Sequence, residues 1–241
     1  MIIEGAFLKI PEILMSYDNP DGLYEANITN LFTMGIVLEL NARNIDNPLN
    51  KIQMEKRYDR NVNVRCDMYL DFSQFLSDEK LNIYGVKNKN WIEAKYFGGL
   101  KRNSGSETKS ENAGSIMYDI FRIIKNTHEN DRIDDAKYIV CIFNEKPDRY
   151  LARNRKDKSR REWIDSILSS GISQVVFEKD KEPKSVIKYF EQEGVISINA
   201  KIRTTDFIPI ENDNIKVGFW GYLIQVLEYE IVTSSKVYTN K

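Results

Sequence analysis

The chain is 241 residues long, 41% hydrophobic, and carries 35 Lys and Arg against 36 Asp and Glu, a formal net charge of −1. That length accommodates a sizeable core, and the balanced charge excludes polyanion binding by overall charge, so any such role must come from local basic patches. The two cysteines, Cys66 and Cys141, lie in apolar runs without disulfide-framework or zinc spacing, and "MIIEGAFLKIPEIL" lacks the basic start and cleavage site of a signal peptide. Buried thiols, a cytoplasmic location and no membrane association are expected.

The first forty residues read as helical. After the turn signal "DNPDG", Leu23, Ile28, Leu31, Phe32, Ile36, Val37 and Leu40 recur at spacings of three to five, the stripe of a core-facing helix. "NIDNPLNKIQMEKRYDRN" reads as a connection with room for a short strand or turn. In "VNVRCDMYLDF" the period changes to two: Val62, Val64, Cys66, Met68 and Leu70 alternate with Asn63, Arg65, Asp67, Tyr69 and Asp71, which predicts a half-buried strand. "NWIEAKYF" predicts a second strand, with Trp91, Glu93, Lys95 and Phe97 on one face and Ile92, Ala94 and Tyr96 on the other. If the two strands pair, Asp67 and Glu93 meet.

"GGLKRNSGSETKSENAG" reads as a long loop. "SIMYDIFRIIKNTHEN" predicts an amphipathic helix with Ile116, Ile120, Ile123 and Ile124 inward, and "AKYIVCIF" (136–143) a buried strand. The remainder predicts a helix in "SRREWIDSILSSG" stopped at Gly171, a strand in "ISQVVFE", a helix in "PKSVIKYFEQEG" between Pro183 and Gly194, and strands in "VISINAKI" and "GYLIQVLEYEIV".

Asp67 followed by Glu93, Ala94 and Lys95, all placed on adjoining strands, resembles the PD-(D/E)XK nuclease superfamily, to which most type II restriction endonucleases belong. Cys66 stands where that motif has its proline, a position that contributes a bend. The resemblance covers about residues 20–145 and implies an α/β fold: a restriction-endonuclease-like αβββαβ core with a mixed central sheet flanked by helices, carrying C-terminal α/β additions over about 146–241. One nuclease domain spanning 1–241 is expected. It further implies Mg²⁺ held by Asp67 and Glu93, with the Ala94 carbonyl as a further ligand and Lys95 beside the attacking water. Glu25 is the candidate helix glutamate that reaches the metal, with Glu39 second, and Asp71 is the alternative to Asp67. Hard carboxylate oxygens suit Mg²⁺, which keeps several waters and needs few protein ligands.

The expected activity is Mg²⁺-dependent cleavage of double-stranded DNA, most simply by a site-specific enzyme acting as a homodimer on a palindromic target. The alternatives are a non-specific, defence or toxin nuclease of the same superfamily, and a non-catalytic nucleic-acid-binding protein. Lys101 and Arg102, with Arg153, Arg155, Lys156, Lys158, Arg160 and Arg161 in "RYLARNRKDKSRREW", are the candidate phosphate-binding residues. His128, the single histidine, reads as a surface residue, and neither GxxxxGK[ST] nor GxGxxG occurs, so nucleotide binding has no motif behind it.

Overall fold

A computed structural model describes residues 2–16, 22–59, 63–74, 87–98, 109–147, 151, 161–212 and 215–240. Apolar spacing near the start makes two short helices, α1 (Ile2–Leu8) and α2 (Ile10–Leu14), which bury Ile3, Phe7, Ile10 and Leu14. They pack on α3 (Glu25–Ala42), whose inner stripe is Ile28, Leu31, Phe32, Ile36 and Leu40. A Cβ on Gly35 would lie 2.5 Å from the Ala6 carbonyl oxygen, so glycine permits α1 to approach α3 this closely. At the start of α3 the Tyr24 N–H donates to the Asn27 side chain at 2.8 Å, satisfying one end-group and placing Glu25 in the first turn.

A 3₁₀ turn (Pro48–Lys51) then leads into β1 (Ile52–Met54), the short strand for which the sequence left room. It begins an antiparallel meander with β2 (Met68–Asp71) and β3 (Lys89–Phe97), in register Met54↔Met68 and Met68↔Ile92. Next come α4 (Lys109–Glu129) and β4 (Ala136–Phe143), which returns parallel to β3 with Glu93 opposite Ile139 and Lys95 opposite Cys141. Both faces of β4 are covered, which explains its apolar run from Tyr138 to Phe143.

The C-terminal part supplies α5 (Glu162–Leu168), β5 (Gly171–Glu178), α6 (Lys184–Ile187), β6 (Val195–Asn212), β7 (Ile215–Thr233) and β8 (Val237–Thr239). These strands join the same mixed sheet, ordered β1-β2-β3-β4-β7-β6-β5, with β8 on the end of β7. Helices cover both sides. One core gathers α4, α5 and α6 against Trp91, Ile139 and Tyr229; the other gathers α1, α2 and α3 against Ile92, Val140 and Leu223. Glu4 of α1 also accepts a bond from Arg203 of β6 at 3.1 Å, across 199 residues of sequence.

Several expectations need correction. The alternation read through "VNVRCDMYLDF" breaks at a bend on Asp67: Cys66 and Tyr69 bury on one side of the sheet, Met68 and Leu70 on the other. Tyr69, placed by the alternation on the face opposite the apolar residues, is buried and packs on Trp91, ring centroids 4.7 Å apart. α4 takes in "KSENAG", which the glycine, serine and asparagine content had marked as loop. α5 ends at Leu168 and Gly171 instead opens β5, while "PKSVIKYFEQEG" forms one α turn and a 3₁₀ turn. His128 is half-buried, edge-on to Tyr238. Both cysteines are buried and free, and among the described residues no helix is long and apolar enough to cross a membrane.

Candidate active site

The end of β3, the bend before β2, the first turn of α3 and the middle of α4 converge on one polar cluster inside otherwise apolar packing. Antiparallel pairing brings Asp67 beside β3, where its Oδ2 accepts the Ala94 backbone N–H at 2.6 Å. Ala94 therefore enters as a donor that orients Asp67. Glu93 points into the α4 side of the sheet and is 0% exposed. Its Oε1 accepts the Tyr58 hydroxyl at 2.8 Å, and its Oε2 meets the Arg122 guanidinium. Tyr58 is fixed in turn by stacking on Trp91 at 4.8 Å.

Lys95 emerges two residues further along the same face. Its Nζ lies 3.3 Å from Asp119 Oδ2 and 3.4 Å from Glu25 Oε2, tying β3 to both α4 and α3. Arg122 sits one helical turn beyond Asp119 and contacts its Oδ1 at 3.4 Å. Among the described residues, four carboxylates, those of Glu25, Asp67, Glu93 and Asp119, thus face two cations, Lys95 and Arg122.

Burial dominates the protonation equilibria of the acids, and neighbouring carboxylates add to it. Burial pushes the Glu93 carboxyl well above its usual range, and the charges of Asp119 and Asp67 push the same way against Arg122. Burial likewise raises Asp119, opposed by Lys95 and Arg122. Glu25 is raised by burial and by Asp67 and Asp119, with Lys95 opposing. Burial alone would lower the Lys95 ammonium, yet Asp119, Glu25 and Asp67 outweigh it and the pKa rises. Lys95 is a fixed positive charge at neutral pH, not a base. Burial and the Glu93 charge raise the Tyr58 phenol, which keeps it a neutral donor.

Of the residues the sequence singled out, Asp67, Glu93, Ala94, Lys95 and Glu25 come together here. Asp71 does not: its Oδ1 accepts the Ser73 N–H at 3.0 Å and the Ser73 hydroxyl at 2.5 Å, closing the turn after β2. Glu39 lies away on α3, paired with Lys9 and Arg43. Arg161 departs most from its expected place on a DNA-binding surface. It is buried, donating to Glu182 at 3.1 Å and to the Leu151 carbonyl at 3.0 Å. Lys101, Arg102, Arg153, Arg155, Lys156, Lys158 and Arg160 lie outside the described residues. The sequence reading missed Tyr58, Asp119 and Arg122. For Asp119 a signal existed, since it falls between Ile116 and Ile123 on the inward stripe of α4, where an acid needs a partner.

No family model matches the chain, and comparisons with curated proteins and with solved structures return no match. Among the described residues no three His, Cys, Asp or Glu side chains gather into a metal site on their own. Carboxylate oxygens are nonetheless the donor type that a hard divalent cation takes, and among the described residues the cluster holds more acids than bases. Mg²⁺ needs only one or two such carboxylates, completing its shell with water and phosphate oxygens.

Proposed function

We propose that this chain is a Mg²⁺-dependent endonuclease of the PD-(D/E)XK type, cleaving phosphodiester bonds of double-stranded DNA in the manner of a type II restriction enzyme. The observation that carries the reading is the bond from the Ala94 N–H to Asp67, 27 residues away, which sets that acid beside the Glu93-Ala94-Lys95 element. The order of elements adds support: helix α3, meander β1-β2-β3, helix α4 and parallel strand β4 follow the αβββαβ sequence that the motif implies.

Asp67 and Glu93 would hold the cation, which when bound lowers the pKa of a water and neutralises charge developing on the phosphate. Each protein group has a separate task. The Ala94 N–H and the Tyr58 hydroxyl orient the two carboxylates, so that little reorganisation is needed when substrate arrives. Lys95, held charged by Asp119 and Glu25, places a positive charge beside the attacking oxygen and the phosphate. The Glu25 side chain is 43% exposed, against 4% for Asp119 and 0% for Glu93, and lies at the positive end of α3. On a palindromic duplex two such sites are needed, one per strand, so a homodimer follows from symmetry.

A second reading rests on the burial of Glu93 against Arg122: a nuclease-like domain that binds nucleic acid without cutting it, its acid locked in a structural pair. One experiment separates them. Purified protein is incubated with unmethylated plasmid and phage DNA, with Mg²⁺ or with EDTA, beside Lys95→Ala. Discrete Mg²⁺-dependent fragments absent from the Lys95→Ala lane are expected; a smear moves the reading to a non-specific nuclease. DNA left intact by folded protein that still binds it would establish the non-catalytic domain.

A further inference from the structure

Arg122 is the part of the cluster that the proposed chemistry does not use, and it lies where that chemistry would need room. Its Nη2 contacts Glu93 Oε2 directly, while the same nitrogen is 3.4 Å from Asp119 Oδ1. Two acceptors within reach of one donor make transfer between them a matter of terminal side-chain rotation. The arginine is also the least confined of the three: its side chain is 28% exposed, against 4% for Asp119 and 0% for Glu93. Its Nε is buried without a hydrogen-bond partner among the described residues, so its present pose leaves a donor unused.

Glu93, by contrast, is held independently. The Tyr58 hydroxyl grips its other oxygen at 2.8 Å, Trp91 stacks on Tyr58, and Arg132 binds the Tyr58 carbonyl. If the guanidinium leaves, the carboxylate keeps its orientation. Asp119 already shares the guanidinium at 3.4 Å through Oδ1, while Lys95 engages Oδ2, so a closer pairing needs no other group displaced among the described residues. A divalent cation and a guanidinium sharing one buried carboxylate would repel strongly in that low-dielectric setting.

We infer that Arg122 is an exchangeable counter-ion: it occupies Glu93 in the metal-free protein and passes to Asp119 when a divalent cation takes the Glu93 carboxylate. This rests on the reading of Asp67 and Glu93 as metal ligands and adds a positioning residue to it. Arg122 thereby keeps a buried acid neutralised until the metal arrives, and tunes how much metal is required.

The test is Mg²⁺ and Mn²⁺ binding measured calorimetrically without nucleic acid, on wild type, Arg122→Gln and Arg122→Lys, with circular dichroism to establish folding. Removing a competing charge next to a carboxylate should tighten the metal dissociation constant about tenfold or more in Arg122→Gln and leave Arg122→Lys near wild type. The unmutated protein gives a second readout: the Arg122 Nε–Hε cross-peak in a ¹⁵N spectrum shifts as Mg²⁺ is added. Folded Arg122→Gln that binds Mg²⁺ no tighter than wild type, or an Arg122 cross-peak unmoved at saturating Mg²⁺, overturns the inference and leaves the metal site standing. Absence of Mg²⁺ and Mn²⁺ binding by wild type and variant alike overturns the metal reading itself.

Discussion

The buried charges around Arg161 and those around Glu93 are built to opposite plans. Around Arg161 one base meets one acid: its Nε donates to Glu182 Oε2 at 3.1 Å, its Nη1 to the Leu151 carbonyl, and the Trp163 indole N–H fills Glu182 Oε1 at 2.6 Å. One base faces one acid, so the charge is balanced. Around Glu93, among the described residues, four acids share two bases, and burial raises the pKa values of Glu25, Glu93 and Asp119. The first arrangement locks α5 to the segment before α6; the second stores an unmet demand for positive charge. Both clusters are buried; what differs between them is the balance of charge, and that difference is what makes the Glu93 cluster the candidate site.

Breaking the balanced pair should have the largest effect on stability. Arg161→Ala leaves Glu182 buried without its counter-ion and should cost about 3–5 kcal/mol, read from urea denaturation midpoints. A loss below about 1 kcal/mol, the scale of an exposed pair, would remove the structural role assigned here.

Lys137 lies between the two plans, a buried cation whose Nζ donates to the Ile133 and Asp135 carbonyls at 2.9 and 2.8 Å. Burial lowers its pKa to about 8, against 10.5 ordinarily. The unfolded chain therefore binds this proton over a range where the folded chain has released it, so the penalty is full below pH 8 and fades as pH rises toward 10.5. The stability of wild type minus that of Lys137→Met should accordingly increase by about 2–3 kcal/mol between pH 7 and 10. A difference that stays flat across that range would mean the ammonium is not destabilised by its surroundings.

The smallest effect is expected where negative charge is in surplus. Asp67→Asn retains an acceptor for the Ala94 N–H while removing one charge, so stability should hold or rise by up to about 1 kcal/mol. A clear fall in the denaturation midpoint would show that the cluster is balanced after all, by groups other than those named.

Much of this was legible in the sequence because the relevant signals are local. The run at 136–143 names a doubly covered strand, and the alternation in 90–97 puts Glu93 and Lys95 on one face. The meeting of Asp67 with that element needed only antiparallel pairing of the two strands. Other features depend on neighbours that no local pattern encodes. Tyr58 sits in a polar connection and becomes a site residue only because the chain folds it under Trp91. Arg122 has the spacing of an ordinary helix pair with Asp119, and its contact with Glu93 comes from how α4 lies across β3. Arg161 was misread because counting charges in a segment says nothing about which of them turns inward.

The bond between Glu4 and Arg203 joins residues 199 apart, and the nearby rings of Phe7 and Phe207 pack at 5.3 Å. On a ribosome adding 5–20 residues per second, about 10–40 s separate the emergence of α1 from that of the strand it finally rests on. α1 does not wait alone, because its contact with Gly35 of α3 is available within the first few dozen residues. The partners of α1 in α3 are thus synthesised early, whereas the sheet beneath cannot be complete until β6 and β7 have been made and paired beside β4.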